Sequence, residues 1–402
     1  MMFQHTTPVF FRRFHLAGGA LVAALLLVAS CGGEEPGAWP FGDPSESASL
    51  GKADRVSESY SLVTYNAGLA HGAVALADER LPAVIDALAK TPADVLCLNE
   101  VWTDDDVEAV TRGLAHLYPY SFRERTVDTS AKSAPCGVWN TVMLDRCVTS
   151  KCSDKGISAE ECVAPGGLCS ARYGSLDDAC KLCLAANTVG AWHCAAFGAK
   201  AYANKGRNGL LLLSRRPLKN AHYTPFETLL VKRGVITADI DGHTVQCTHM
   251  TSDLPVVPYP KNKGTFASWA EEHLAELDVI EGQQTPGRCT VLLGDLNAGL
   301  PTTTLQGELP ENFSRFLDAG YVEPWDDERC TWCDDNPLAG STMNKRFDHI
   351  LLRDCPGDAV YHYQRVFDEP ISLGSGSDTL TTRLSDHYGL KVTIQPSVVP
   401  AS

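Results

Sequence analysis

Cys289-Thr290-Val291-Leu292-Leu293-Gly294-Asp295-Leu296-Asn297 is an apolar run that ends on a carboxylate and an amide. It reads as a buried strand running into a loop, with its polar groups at the rim of a sheet. The same arrangement recurs on both sides of it. Residues 60–65 alternate and end at Asn66-Ala67-Gly68, and the short run 94–98 ends at Asn99-Glu100. Asn208-Gly209 opens the run 210–213, and residues 244–248 close on His249. Arg346-Phe347-Asp348-His349 leads into Ile350-Leu351-Leu352, and Ser385-Asp386-His387 precedes residues 388–394.

Between these strands lie stretches of helical spacing. Residues 78–90 repeat apolar groups at Leu81, Val84, Ile85 and Leu88, and residues 104–117 follow the same period. A further amphipathic helix is expected over 266–280, with Trp269, Leu274, Leu277 and Ile280 on one side. Asp241-Gly242 joins strands 235–240 and 244–248 as a two-residue hairpin signal. Tight strand pairs mixed with longer αβ units predict an α/β protein, a four-layer sandwich of two mixed β-sheets flanked by helices. One domain over residues 59–396 accounts for the pattern, interrupted at about 130–205 by a cysteine-rich insertion.

The N-terminus follows another pattern. Arg12-Arg13 precedes an apolar stretch from Leu16 to Ala29, then Ser30-Cys31. A basic region, a short apolar region and small residues make a secretory signal over residues 1–30. Cysteine in that place resembles the lipobox of bacterial lipoproteins, which implies a lipid anchor on Cys31 and a cell-envelope location, in the outer membrane or periplasm; an ordinary signal peptide with an incidental cysteine, and a secreted chain, is the alternative. The Glu-, Pro-, Gly- and Ser-rich residues 31–58 read as a flexible tether. The signal carries two arginines and no acid, so its loss takes the formal charge from −15 to −17. Such a polyanion is a poor general binder of nucleic acid unless a local basic cleft or bound cations reverse the field.

Fifteen cysteines in an exported chain favour disulfides. Eight of them, from Cys136 to Cys194, fall in the insertion and predict a stapled subregion, although spacing alone does not give the pairing. Cys180-x-x-Cys183 and Cys330-x-x-Cys333 also have zinc-knuckle spacing. Cys97, Cys247 and Cys289 lie in apolar runs and read as small buried hydrophobes.

Asn66, Glu100, Asn208, His249, Asp295-x-Asn297, Asp348 and Ser385-Asp386-His387 form an ordered series. In that order the series resembles the endonuclease/exonuclease/phosphatase superfamily, to which pancreatic-type deoxyribonucleases, inositol polyphosphate phosphatases and neutral sphingomyelinases belong. The resemblance implies hydrolysis of a phosphodiester by water in the presence of a divalent metal. Hard oxygen donors suit Mg²⁺, with Mn²⁺ or Ca²⁺ as alternatives. By resemblance Glu100 and Asn66 hold the metal, and Asp386 either joins them or supports the histidine pair. His387 is the general base, oriented by Asp348. Asp295 and Asn297 bind the attacking water and a phosphate oxygen, His249 donates at the phosphate or leaving group, and Asn208 orients a nonbridging oxygen. His349 reads as structural and Arg346 as a strand-edge surface charge.

Asn99-Glu100-Val101-Trp102, Tyr118-Pro119-Tyr120-Ser121 and Cys330-Thr331-Trp332 resemble the neutral sphingomyelinases more than the nucleases. A phospholipid headgroup is therefore the favoured substrate for a chain expected to be a monomer. A secreted nuclease is the alternative: a Lys/Arg-lined cleft beside Glu100 and His387 would favour it, and an apolar, Trp/Tyr-rimmed cleft the lipid enzyme. A catalytically silent surface binding protein is the reading from another class. Gly68 stands where apurinic endonucleases of the superfamily carry Asp, and Asn99 where the lipid enzymes carry Gln or Glu.

Overall fold

The computed structural model describes residues 59–395, with interruptions at 72, 127–135, 153–154, 156–161, 164–165, 187–193, 196–202, 255–258, 260–264, 325–327, 356–359, 375 and 377–378. The expected signal peptide, Cys31 and the tether lie outside the described residues. Thirteen strands are described: β1 (Tyr60–Leu69), β2 (Val95–Val101), β3 (Tyr120–Phe122), β4 (Leu211–Ser214), β5 (Lys219–Pro225), β6 (Gly234–Ile240), β7 (His243–His249), β8 (Thr290–Asp295), β9 (Asp348–Arg353), β10 (Val360–Val366), β11 (Ile371–Leu373), β12 (Leu380–Thr382) and β13 (Gly389–Gln395).

They form a six-stranded sheet in the order β10-β13-β1-β2-β4-β3, a five-stranded sheet β5-β6-β7-β8-β9 and a small β11-β12 pair. Both large sheets are mixed, since β1 runs parallel to β2 and β7 parallel to β8 among antiparallel neighbours. One core lies between the two sheets, built from Leu62, Leu212, Val245, Leu293, Ile350 and Leu390 among others. The outer face of the first sheet packs on α1 (Ala77–Lys90) and α2 (Asp104–Leu114). A cluster holding Leu277, Ile280, Phe313 and Phe316 backs the second sheet, contributed by two later helices, Trp269–Gly282 and Pro310–Asp318. This is the expected four-layer arrangement. Asp241-Gly242 makes the expected hairpin: both residues have positive φ, and Ile240 pairs with His243.

Within the insertion stand α3 (Val138–Lys151), α4 (Ser170–Gly174) and α5 (Asp178–Ala186), so the two later helices are α6 and α7. Their small core is made largely of cystine sulfur beside Leu144, Val148 and Leu184. Four bridges hold it: Cys136–Cys180, Cys147–Cys169, Cys152–Cys162 and Cys183–Cys194. Cys330 pairs with Cys333, so neither x-x-spaced pair is a free zinc knuckle.

The reading of Cys97, Cys247 and Cys289 as lone buried hydrophobes is corrected. Cys97 is bonded to Cys247 and Cys289 to Cys355. Cys97 on β2 and Cys247 on β7 both face the gap between the sheets, so the two inward positions meet across it. The 266–280 helix also starts later than expected, at Trp269, because the Ser268 hydroxyl caps it by accepting the Glu271 N–H at 3.1 Å.

Alternation positions the site. Along β1 the inward residues run Leu62, Thr64, Asn66, and along β2 they run Val95, Cys97, Asn99. On the other sheet the inward series are Val245, Cys247, His249 and Val291, Leu293, Asp295, with Leu352, Ile350, Asp348 running the opposite way on β9. The core therefore turns polar at one end, where both sheets present amides, carboxylates and an imidazole.

Candidate active site at the polar end of the inter-sheet core

Strand register brings the groups together. Asn66 pairs with Asn99 on parallel β1 and β2, while His249 pairs with Asp295 and Asp295 with Asp348 across β7, β8 and β9. Just past Asn66 the β1–β2 ladder bulges, and opposite the bulge Glu100 has φ 60°. A left-handed glutamate is a strained conformation that the surrounding sheet imposes. It re-aims the residue at the rim. Gly68 sits in the same bulge with φ +54°, and a Cβ there would lie 2.5 Å from Asp386 Oδ1. The room that an acid at position 68 would need is already filled by the carboxylate of Asp386.

His387, Asp348, Asp295, Asn66, His249 and Asn297 form one connected network. His387 Nδ1 lies 2.8 Å from Asp348 Oδ2, and its Nε2 lies 3.9 Å from Asp295 Oδ2. That same Asp295 oxygen accepts Asn66 Nδ2 at 2.9 Å and lies 3.3 Å from His249 Nε2. Asp295 Oδ1 accepts the Asn297 N–H at 2.9 Å, and Asn297, itself at φ 49°, donates its side-chain amide to the Met250 carbonyl. The Thr331 hydroxyl oxygen accepts the N–H of Asp348 at 3.1 Å. Asp386 accepts the Ser385 hydroxyl at 3.0 Å. Asn208 folds its carbonyl back onto the Leu210 N–H, and the next residue, Gly209, takes the Val101 N–H on its carbonyl at 3.0 Å. The segment after Asn208 is thereby tied to the one after Glu100.

Charge is concentrated here under low solvent. Burial raises Glu100 above the usual carboxylate range, Asp386 pushes it further, and His387 and Arg233 pull it back. Burial lifts Asp295 to about 7, with Asp348 adding to the rise. For His387 burial opposes the charge, yet Asp348, Asp295 and Asp386 outweigh it and hold the ring protonated to about 10. Burial, with Arg233 and His387, holds His249 well below the ordinary histidine range, so it is neutral at neutral pH.

Glu100, Asp386 and the carbonyl of Asn66 are hard oxygen donors, and Asp386 adds to the cost of charging Glu100. That donor set fits a hydrated divalent cation. Asp295, Asp348 and His387 also converge within 4.8 Å, but the Asp348–His387 hydrogen bond already occupies two of their atoms.

Three groups outside the expected set belong to the site. Asn99 donates to the Thr248 carbonyl at 2.7 Å and accepts the Asp295 N–H at 3.2 Å, stitching one sheet to the other. Trp332 packs edge-on against His387, ring centroids 4.9 Å apart, with Phe347 at 6.1 Å. Arg233 is only 7% exposed, yet among the described residues its Nε and Nη1 have no hydrogen-bond partner. It precedes β6 in Lys232-Arg233-Gly234, a local sequence that does not separate it from an ordinary strand-edge charge. Arg346 pairs with Glu323 at 3.4 Å, and buried His349 bonds Glu323 and the Ala298 carbonyl, so both serve the framework.

The profile described as the Endonuclease/Exonuclease/phosphatase family matches residues 63–387. Sphingomyelinase C from Streptomyces griseocarneus is similar in structure, with a TM-score of 0.50 at 15% identity over 84% of this chain and 99% of that one. A beta toxin mutant from Staphylococcus aureus with bound magnesium ions gives 0.50 at 13% identity, over 85% and 100%. At these identities the likeness speaks for the fold alone. Comparison with curated proteins finds none that matches.

Proposed function

The chain belongs to the endonuclease/exonuclease/phosphatase family, and from that premise we propose that it is an exported, divalent-metal-dependent phosphodiesterase. The observation that carries the reading is one imidazole, His387, bonded to Asp348 and facing Asp295 at the polar end of the core. Asp348 holds Nδ1 of His387 and orients the ring. Part of the carboxylate field that keeps the ring charged would be offset by a cation held at Glu100 and Asp386, and the neutral ring then takes the proton of the attacking water at Nε2. Asp295 and Asn297 position that water. Neutral His249 and the Arg233 guanidinium offer hydrogen-bond donors to the phosphate oxygens, and Asn208 orients a nonbridging oxygen. Glu100 and Asn66 would hold the metal, with Asp386 beside them. When bound, such a cation neutralises charge on the phosphate oxygens. Mg²⁺ suits the oxygen set, with Mn²⁺ or Ca²⁺ as alternatives.

Two substrate classes each have support. The aromatic wall of Trp332 and Phe347 beside His387 suits a phospholipid headgroup, in keeping with the sphingomyelinase-like motifs. Arginines beside Trp102 favour a nucleic-acid strand. Seven disulfides among the described residues are consistent with export, and lipid anchoring through Cys31 would place the enzyme on the cell envelope. No described helix is long and apolar enough to cross a membrane.

The test is a panel of sphingomyelin, phosphatidylcholine, plasmid DNA and bis-p-nitrophenyl phosphate, each with magnesium, manganese or calcium. Metal-dependent release from at least one, abolished in His387→Ala, is the expected result. Hydrolysis of none would leave a silent surface binding protein.

A further inference from the structure

Three hydrogen-bond donors beside the His387 network have no acceptor. Arg233 Nε and Nη1 and the indole N–H of Trp102 are buried without a partner among the described residues. Both side chains are more than nine-tenths buried, and they lie together, the guanidinium carbon 5.9 Å from the Trp102 ring centre. Of the two, Trp102 also lines an adjoining cleft, where its unpaired indole N–H calls for a ligand with acceptor oxygens, while the Arg233 donors serve the candidate active site.

At Trp102 the surface opens into a shallow cleft lined among others by Trp102, Asp104, Arg123, Arg125, Arg207 and Asn208. Arg123 Nη1 lies 2.7 Å from Asp104 Oδ1, and Arg207 grips the other oxygen of the same carboxylate. Asp104, held below the usual carboxylate range by the Arg123 hydrogen bond and the second arginine, therefore answers two cations with one charge. Glu124, also in the wall, is turned to the Thr126 N–H at 2.6 Å. Three arginines against two acids leave a net positive cleft on a chain whose formal charge is −15. A local inversion of that kind gathers anions. The cleft borders the candidate active site, because Asn208 lines it and Val101, also in its wall, directly follows Glu100.

We propose that this cleft is a second phosphate subsite, and that the substrate is a diester carrying a further phosphate beyond the one that is cut. The inference rests on the phosphodiesterase reading above. A nucleic-acid strand fits it, since its phosphates repeat along one molecule and its bases offer faces to Trp102. A choline headgroup would set a cation against three arginines.

The experiment compares kcat/KM for a thymidine dinucleotide with and without an added terminal phosphate, at the 5′ and the 3′ end, using the full chain with magnesium. One terminal phosphate should raise kcat/KM at least about tenfold, the scale of a charged hydrogen bond. In Arg123→Gln/Arg207→Gln that ratio should collapse towards one, and Arg207→Lys should keep part of it. An unchanged ratio in the double variant overturns the proposal. So does an equal loss on sphingomyelin vesicles, which would make the arginines a lipid-facing surface. If no diester is cut at all, the hydrolase reading fails separately. Calorimetric binding of the phosphorylated dinucleotide then decides the subsite: weaker binding in the double variant supports it, and equal binding overturns it.

Discussion

Asp295 and Asp348 stand directly opposite one another on neighbouring antiparallel strands, and the single ring of His387 reaches both. Like charges placed opposite across a ladder are unfavourable, so the imidazole is held between them by the field it offsets. Replacing His387 with Ala should lower kcat by about 10²–10⁴-fold, the range for a lost general base. Asp348→Asn should lower it as well, by freeing the tautomer. Steady-state rates on bis-p-nitrophenyl phosphate measure both. Turnover within about threefold of the parent in His387→Ala would remove the ring from the proton transfer.

Glu100 occupies a strained backbone and faces another carboxylate, a combination with no benefit to folding alone. Glu100→Gln should raise the magnesium concentration needed for half-maximal rate by about 10–100-fold, as loss of a ligand-shell group does. The parent enzyme should lose its activity in EDTA and regain it on adding the cation. Titration of rate against free magnesium in both proteins is the measurement. A metal requirement identical in the variant would move the cation elsewhere.

Burial lowers the affinity of Arg233 for its proton, and no described carboxylate bonds its Nε or Nη1. A buried charge kept without such partners costs stability that a methionine of similar length would not. Arg233→Met should therefore unfold at an equal or higher temperature while losing about 10²–10³-fold in kcat/KM, the range for a lost oxyanion donor. Thermal unfolding and kinetics on the same sample separate the two. A large fall in stability would make Arg233 structural.

Cys97 and Cys247 join the facing sheets three residues before Glu100 and two before His249. The bridge closes a span of 150 residues, so in a chain-entropy account Cys97→Ala/Cys247→Ala should cost about 3–5 kcal/mol, cavity included. Chemical denaturation gives that figure. Activity of the folded double variant should fall as well, because the two halves of the site then depend on packing alone for their spacing.

Much of this was legible in the order of residues. Each inward series ends on a polar group in the sequence itself, as Val291-x-Leu293-x-Asp295 does, so the alternation that builds the core also locates the rim. Edge strands β5 and β10 were not legible, because half-exposed runs such as Tyr361-His362-Tyr363-Gln364 alternate without a strong apolar face. The cystines were misread for a related reason. Alternation points Cys97 and Cys247 inward, but only the pairing of the two sheets says that they meet. Arg233 was missed because nothing local separates a buried arginine from a surface one; its surroundings come from β2, β6 and β8 at once.

Helix α6 was expected to bury an apolar face, and it buries Glu272 and Glu276 as well, both at 1% exposure. Thr251, just past His249, donates its N–H to Glu276 Oε2 at 2.8 Å, and its hydroxyl lies 2.7 Å from Glu276 Oε1 and 3.0 Å from Glu272 Oε1. Burial, reinforced by Glu272, raises Glu276 to about 8, and burial raises Glu272 to about 6. From the ordinary glutamate value of 4.5 up to about 8 the folded chain holds a proton that the unfolded chain has released. Stability from this pair is thus complete below that range and declines as pH rises through it. In Glu276→Gln the amide keeps the shape and accepts the Thr251 N–H without titrating, so the decline should flatten and the variant should be the more stable at pH 8. Each kcal/mol recovered should raise Tm by about 1–2 °C in a chain of this size. Thermal unfolding of both proteins from pH 5 to 9, with disulfides intact, is the measurement. Parallel curves would show that Glu276 is ionised in the folded chain throughout.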